Sequence, residues 1–261
     1  MPYIDPLFSL LGRQLLATIS RRWQWVIERQ SFRRIYLKST ELDIFQQIVT
    51  DHRRRFVQLI SYTIILPEYT LEACTQFERE ADRQINNTAF TIALYKLFQI
   101  LQSWGSTDES GNPYSLRVEI EDIYSPMDHG RRTSTILFPS QNTRGARGDN
   151  RERTYPRDLQ QNRFEYSSLY LLQSVDLPIV PVIRHFITNH NKHNARMIAP
   201  ESALEILRKL PNLRICLLDF DDQLVNYPAL RRARRNAFAR AFDHARFPNS
   251  IEFISIEMGP R

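Results

Sequence analysis

Glycine is scarce in this chain, with seven among 261 residues. Nucleotide-binding loops cluster glycines where the backbone must approach phosphate, and turn-dense β sandwiches spend them at positive-φ corners; this composition argues against both. Cysteine is scarcer still. Cys74 and Cys216 each lie in an apolar pattern, which reads as two buried, reduced thiols and so as a cytoplasmic or nuclear protein. No apolar run approaches the roughly 18 residues that span a bilayer. The stretch Leu7–Ile19 is interrupted by Arg13 and lacks a basic start, so it makes a poor signal peptide, and the Asn86-Asn-Thr88 sequon carries no weight. No P-loop, dinucleotide fingerprint or Ser-His-Asp set is visible.

Apolar material, by contrast, is ample at 42% of residues, enough for a sizeable core. The formal net charge is +6, and 31 of the 35 basic residues are arginine. These arginines are spread along the chain rather than gathered in a block. Arginine covers apolar surface with its stem and pairs carboxylates, so a solvated surface is the simpler reading. A basic nucleic-acid-associated protein is a third-ranked alternative and nucleic acid is not the expected partner.

The start of the chain is the most specific stretch. Leu15, Leu16, Ile19, Trp23, Val26 and Ile27 recur at helical spacing, with Arg13, Arg21, Arg22, Glu28 and Arg29 on the other face. Phe32-Arg-Arg-Ile-Tyr-Leu-Lys38 follows, with the aromatic and β-branched content of a strand. Ala17-Thr-Ile-Ser-Arg-Arg-Trp-Gln-Trp-Val-Ile-Glu28 followed by Ser31-Phe-Arg-Arg-Ile35 resembles the last helix of an F-box running into a first leucine-rich-repeat-like strand, as in fungal F-box proteins. That resemblance implies a substrate-recognition subunit of an SCF-type ubiquitin ligase. Leu15, Leu16, Ile19 and Trp23 would then face a Skp-type adaptor. The Leu-Pro element that opens an F-box is not supplied by Met1-Pro-Tyr-Ile-Asp-Pro-Leu7. The expectation is a partial F-box over 1–32, with weakened adaptor binding.

The remainder, 33–261, alternates helix-like and strand-like segments, with strands centred near Ile35, Ile64, Ile120, Val182, Ile215 and Ile254. The expected fold is an α/β, irregular leucine-rich-repeat-like solenoid with parallel strands and outer helices. Within it, Thr40 is expected to cap a helix whose face carries Leu42, Phe45, Val49, Phe56 and Leu59. Asn87 or Thr88 should cap a helix to Trp104, stopped at Gly105. Tyr166–Val175 reads as a short helix, and Leu177–Ile187 as an edge strand or strand start carrying Pro178 and Pro181. Leu210-Pro-Asn-Leu-Arg-Ile-Cys-Leu217 fits the first part of a leucine-rich repeat, leucines at spacing three then two pointing inward. The polar, arginine-rich stretch 127–162 is expected to be a disordered insertion.

Three patterns compete with a binding role. Ile215-Cys-Leu-Leu-Asp-Phe-Asp-Asp222 resembles the first motif of haloacid-dehalogenase-type phosphatases, which would make Asp219 a nucleophile and Asp221 a general acid at a magnesium ion. Only 39 residues follow Asp222, too few for the rest of that site. His185, His190 and His193 lack the spacing of a zinc site. Arg231-Arg-Ala-Arg-Arg235 sits on an apolar helical stripe and reads as a solvated face. The expectation is therefore a non-enzymatic protein-binding module, with no cofactor, metal or membrane partner. The phosphohydrolase is the runner-up.

Overall fold

The computed structural model describes residues 20–70, 72–107, 111, 114–129, 163, 167–188, 196–220, 228–243 and 247–257. Its frame is one six-stranded parallel sheet in strict sequence order, formed by β1 (Arg34–Lys38), β2 (Leu59–Ile65), β3 (Leu116–Tyr124), β4 (Ile183–Thr188), β5 (Ile215–Asp219) and β6 (Phe253–Glu257). Each strand pairs with the next along the chain, so the chain winds in one direction throughout. Parallel neighbours require crossovers, and these carry the helices. The helices are α1 (Arg21–Ser31), α2 (Leu42–Ile48), α3 (Asp51–Arg54), α4 (Glu80–Gln102), α5 (Pro126–His129), α6 (Pro200–Arg208) and α7 (Pro228–Asp243). The α/β class with a parallel sheet is thus the observed one. All six expected strand centres fall in, or one residue before, an observed strand.

Register turns the strand chemistry into a core. Ile35, Ile60, Val118, Phe186, Cys216 and Ile254 stand side by side across the sheet, and Leu37, Tyr62, Ile120, Thr188, Leu218 and Ile256 form the next row. Because side chains alternate along a strand, both rows point to the same face. They merge with Leu42 and Phe45 of α2, Phe90, Leu94 and Leu97 of α4, and Leu204 and Leu207 of α6 in one apolar cluster. The Tyr62 hydroxyl donates to the Ala93 carbonyl of α4 at 2.9 Å, which fixes the helix above β2. At β5 and β6 the cover is aromatic. Phe220 meets Phe238 of α7 edge-on at 5.3 Å, and Phe238 stacks on Phe242 at 4.2 Å.

Several local expectations are corrected. Ser20 has extended backbone and its side chain accepts the Trp23 N–H, so it caps α1. Of the expected helical face, Trp23, Val26 and Ile27 lie on α1, while Leu15, Leu16 and Ile19 lie outside the described residues. Thr40 caps nothing; Ser39–Glu41 is a 3₁₀ turn in which Glu41 accepts the Lys38 N–H at 3.0 Å. The face expected from Leu42 to Leu59 is not one helix: Leu42 and Phe45 lie on α2, Val49 and the extended Thr50 leave helical geometry, Phe56 follows α3 in a turn, and Leu59 opens strand β2. Helix α4 starts at Glu80 rather than near Thr88, and the cap is made by Asp82, which accepts the Arg79 N–H at 3.1 Å. Gly105 ends that helix turn with φ of 74°.

Residues 167–175 form no helix. Their amides are claimed by side chains of flanking helices: Asn87 Oδ1 accepts from Tyr170, Ser202 Oγ from Leu171 and Thr91 Oγ1 from Leu172, each within 3.0 Å. Pro178 and Pro181 precede β4, which is an inner strand and not an edge. In the leucine-rich segment, Leu210, Leu213, Cys216 and Leu218 are buried while Ile215 is half-buried on the other face. The inward frame is therefore Leu213-x-x-Cys216-x-Leu218, three residues later than the frame that begins at Leu210.

Candidate functional site

Of the residues expected to face an adaptor, Leu15, Leu16 and Ile19 lie outside the described residues. Trp23 lies in the first turn of α1 and is 48% exposed. The attachment of α1 to the sheet domain runs through its neighbours instead. Trp25 meets Phe56 edge-on at 5.8 Å, and Glu28 accepts from Arg53 Nη2 at 2.9 Å with His52 Nε2 3.5 Å away. Burial alone would raise the Glu28 pKa. Hydrogen bonds from Arg53 and Gln24, with the charges of Arg53 and His52, outweigh it and hold the carboxyl below its ordinary value.

Asp219 ends β5, its N–H donating to Thr188 Oγ1 at 3.0 Å, and Asp221 lies outside the described residues. His185 sits on β4, facing away from the core, while His190 and His193 also lie outside the described residues. The three histidines are therefore not brought together by the described structure. His185 is held below the ordinary histidine range, first by partial burial and then by the positive charges of Arg117 and Arg214. The basic segment Arg231–Arg235 opens α7, where Arg232 and Arg235 are exposed. The expected disordered insertion at 127–162 does not hold for its first residues: Met127–His129 belong to α5, and Asp128 is buried. Residues 130–162 lie outside the described residues.

A polar cluster not anticipated from sequence gathers the connections beyond the carboxyl ends of β2 to β4. Arg196 pairs with Glu78 and lies 3.5 Å from Asp128 through Nε. Asp128 also accepts the Ser125 N–H at 2.8 Å and the Tyr69 hydroxyl. Arg163 donates to Asp82 at 3.2 Å and stacks 4.3 Å from the Tyr69 ring. Glu78 takes a further bond from Asn86 at 2.9 Å. Glu78, Asp128, Arg163 and Arg196 are all buried, so the cluster is closed to substrate and acts as a staple. Its partners are far apart in sequence, which is why no local motif announces it.

The face of the sheet opposite the core carries the exposed chemistry. Arg34, Leu59, Arg117, His185, Ile215 and Phe253 form one outward row, and Tyr36, Ser61, Glu119, Ile187, Leu217 and Ser255 the next. Tyr36 is 67% exposed and Phe253 53%, while Leu59, Ile215 and Leu217 are half-buried. Over β1 to β3 this face dips into a trough lined by Arg34, Tyr36, Leu59, Ser61, Arg117, Glu119 and Glu121. Exposed apolar and aromatic side chains flanked by charges on a rigid sheet suit recognition of another macromolecule. Among the described residues, no helix is long and apolar enough to cross a membrane. No protein-family model, no curated protein and no solved structure matches this chain.

Proposed function

We propose that this chain is a protein-binding module of the leucine-rich-repeat type, similar to the target-recognition part of fungal F-box proteins, and that it is not an enzyme. One observation carries the reading. Strands β2, β5 and β6 carry an inward apolar frame, Val57-x-x-Ile60-x-Tyr62, Leu213-x-x-Cys216-x-Leu218 and Ile251-x-x-Ile254-x-Ile256, whose last two positions fall in the same two inward rows of the sheet. Stacked units of this kind bury a common core and leave an extended surface for a partner. Replacing outward Leu217 and Phe253 with lysine tests it. Both variants should keep the native circular dichroism spectrum yet lose the protein target retained by the unmodified chain; unchanged retention would contradict the reading.

The same reading predicts weakened binding to a Skp-type adaptor. Of Leu15, Leu16, Ile19 and Trp23, Trp23 alone is among the described residues, exposed in the first turn of α1. Purified chain and purified Skp-type adaptor are expected to separate on gel filtration. A complex that survives the column would show that the helical region suffices.

A further inference from the structure

We propose that the outward face of β1 and β2 recognises an acidic, extended peptide segment of the partner protein, held through Arg34, Tyr36 and Lys38. This inference rests on the binding-module reading and names the chemistry of its target.

The charges around the trough are not equivalent. On the β3 side, Arg117 pairs with Glu119, and the Ser61 hydroxyl donates to Glu121. Those groups are already engaged. On the β1 side, Arg34 and Lys38 are exposed and make no ion pair among the described residues, and Tyr36 between them is 67% exposed. Arg117 and Glu119 cancel, and Glu121, held by a hydroxyl, leaves one negative charge against the two cations Arg34 and Lys38, so the balance beside the trough is positive. A cationic partner would have to compete with Arg117 for Glu119 and would meet Arg34 and Lys38 as like charges. An anionic partner gains both cations and breaks nothing.

Spacing adds a second constraint. Arg34, Tyr36 and Lys38 alternate on one side of a strand, so neighbours in the row stand about 6.6 Å apart and the two cations about 13 Å apart. A peptide lying extended beside β1 repeats that interval. Carboxylates at its first and fifth positions reach Arg34 and Lys38, and an apolar side chain at the third lies over the Tyr36 ring. Leu59 and Ser61 on β2 are uncharged and line the trough beside β1, where the peptide backbone would lie.

The test uses the full chain and a fluorescein-labelled peptide containing Glu-Ser-Leu-Ser-Glu, followed by fluorescence anisotropy at about 0.15 M ionic strength. The expected result is saturable binding that Arg34→Glu with Lys38→Glu weakens by about tenfold or more, and Tyr36→Ala by about fivefold. Arg232→Glu with Arg240→Glu, the same charge change on α7, should leave affinity within about twofold. A Lys-Ser-Leu-Ser-Lys peptide should not bind. Equal weakening by the α7 pair, or equal affinity for a single-stranded oligothymidylate, would reduce the effect to general attraction for polyanions and overturn the proposal. Absence of peptide binding, with a protein target still lost on substitution of Leu217 and Phe253, would overturn this inference alone and leave the binding-module reading standing.

Discussion

Arg196 and Glu78, 118 residues apart in sequence, form an ion pair in which both side chains are almost wholly buried, at 3% and 2% exposure. The pair joins the segment entering α6 to the segment entering α4. Through Asp128 it also holds the connection that follows β3. Three crossover connections thus share one closed polar cluster.

Removing one side of such a pair strands the other charge. Arg196→Ala is expected to cost about 3–5 kcal/mol, measured by urea unfolding. Replacing both partners with apolar residues of similar volume, Arg196→Met with Glu78→Leu, should recover part of that loss, because the Glu78 charge is no longer stranded, while Asp128 still loses its cation. A double variant as unstable as the single one would show that hydrogen bonding to Asn86 and Asp128, rather than the pair, carries the stability.

Glu28 makes a pH-dependent contribution. Its folded pKa lies below the ordinary value of 4.5, so the unfolded state takes up its proton first as pH falls. The stabilisation is fully present above 4.5 and fades as pH drops through the folded value. The side chain is partly exposed, so solvent screening limits the gain at neutral pH to about 1 kcal/mol or less. Denaturant midpoints of the parent and Glu28→Gln should differ at pH 7 and converge in acid. A constant gap across that range would remove the charge argument for how α1 is attached.

Cys216 lies fifth in an inward row of six, fully buried, and its thiol is pushed up to about 12 by burial. Maleimide labelling of native protein at mild alkaline pH should leave the Cys216 peptide unmodified, and labelling in urea should modify it. Rapid native labelling would mean that β5 opens readily.

Asp219→Asn should change no phosphatase activity. Asp219 sits at the outer end of β5, next to the last strand, with its amide bound to Thr188. Magnesium-dependent hydrolysis of a generic phosphate ester that disappears in this single variant would favour a phosphohydrolase instead.

Strand positions were legible because alternation and β-branched content survive in the local sequence. The strand expected near Ile120 is β3, Leu116–Tyr124, with Ile120 at its middle. Helix boundaries were less so, since the side chains that signal caps had other partners. Asn86 binds Glu78 and Asn87 binds the Tyr170 amide, so the Asn-Asn-Thr run lies inside α4 and not at its start. Side-chain acceptors around 167–175 likewise replaced helical hydrogen bonds with tertiary ones. The shift of the inward frame from Ile215 to Cys216 follows from strand register, a property of neighbouring strands that no single segment contains. The outward row of Arg34, Tyr36 and Lys38 could be read as strand composition, but its isolation from carboxylates depends on Arg117 pairing with Glu119, which required the assembled sheet.

The outward face of the sheet as the binding surface is tested most directly by site-specific photo-crosslinking of the full chain in cells. A photoreactive residue would replace Tyr36, Leu217 or Phe253 on that face, or the exposed Ile92 of α4 as comparison. The three sheet positions are predicted to capture one common protein and Ile92 to capture none of it. Capture from Ile92 alone, or of unrelated proteins from each sheet position, would contradict the assignment of this face as the recognition surface.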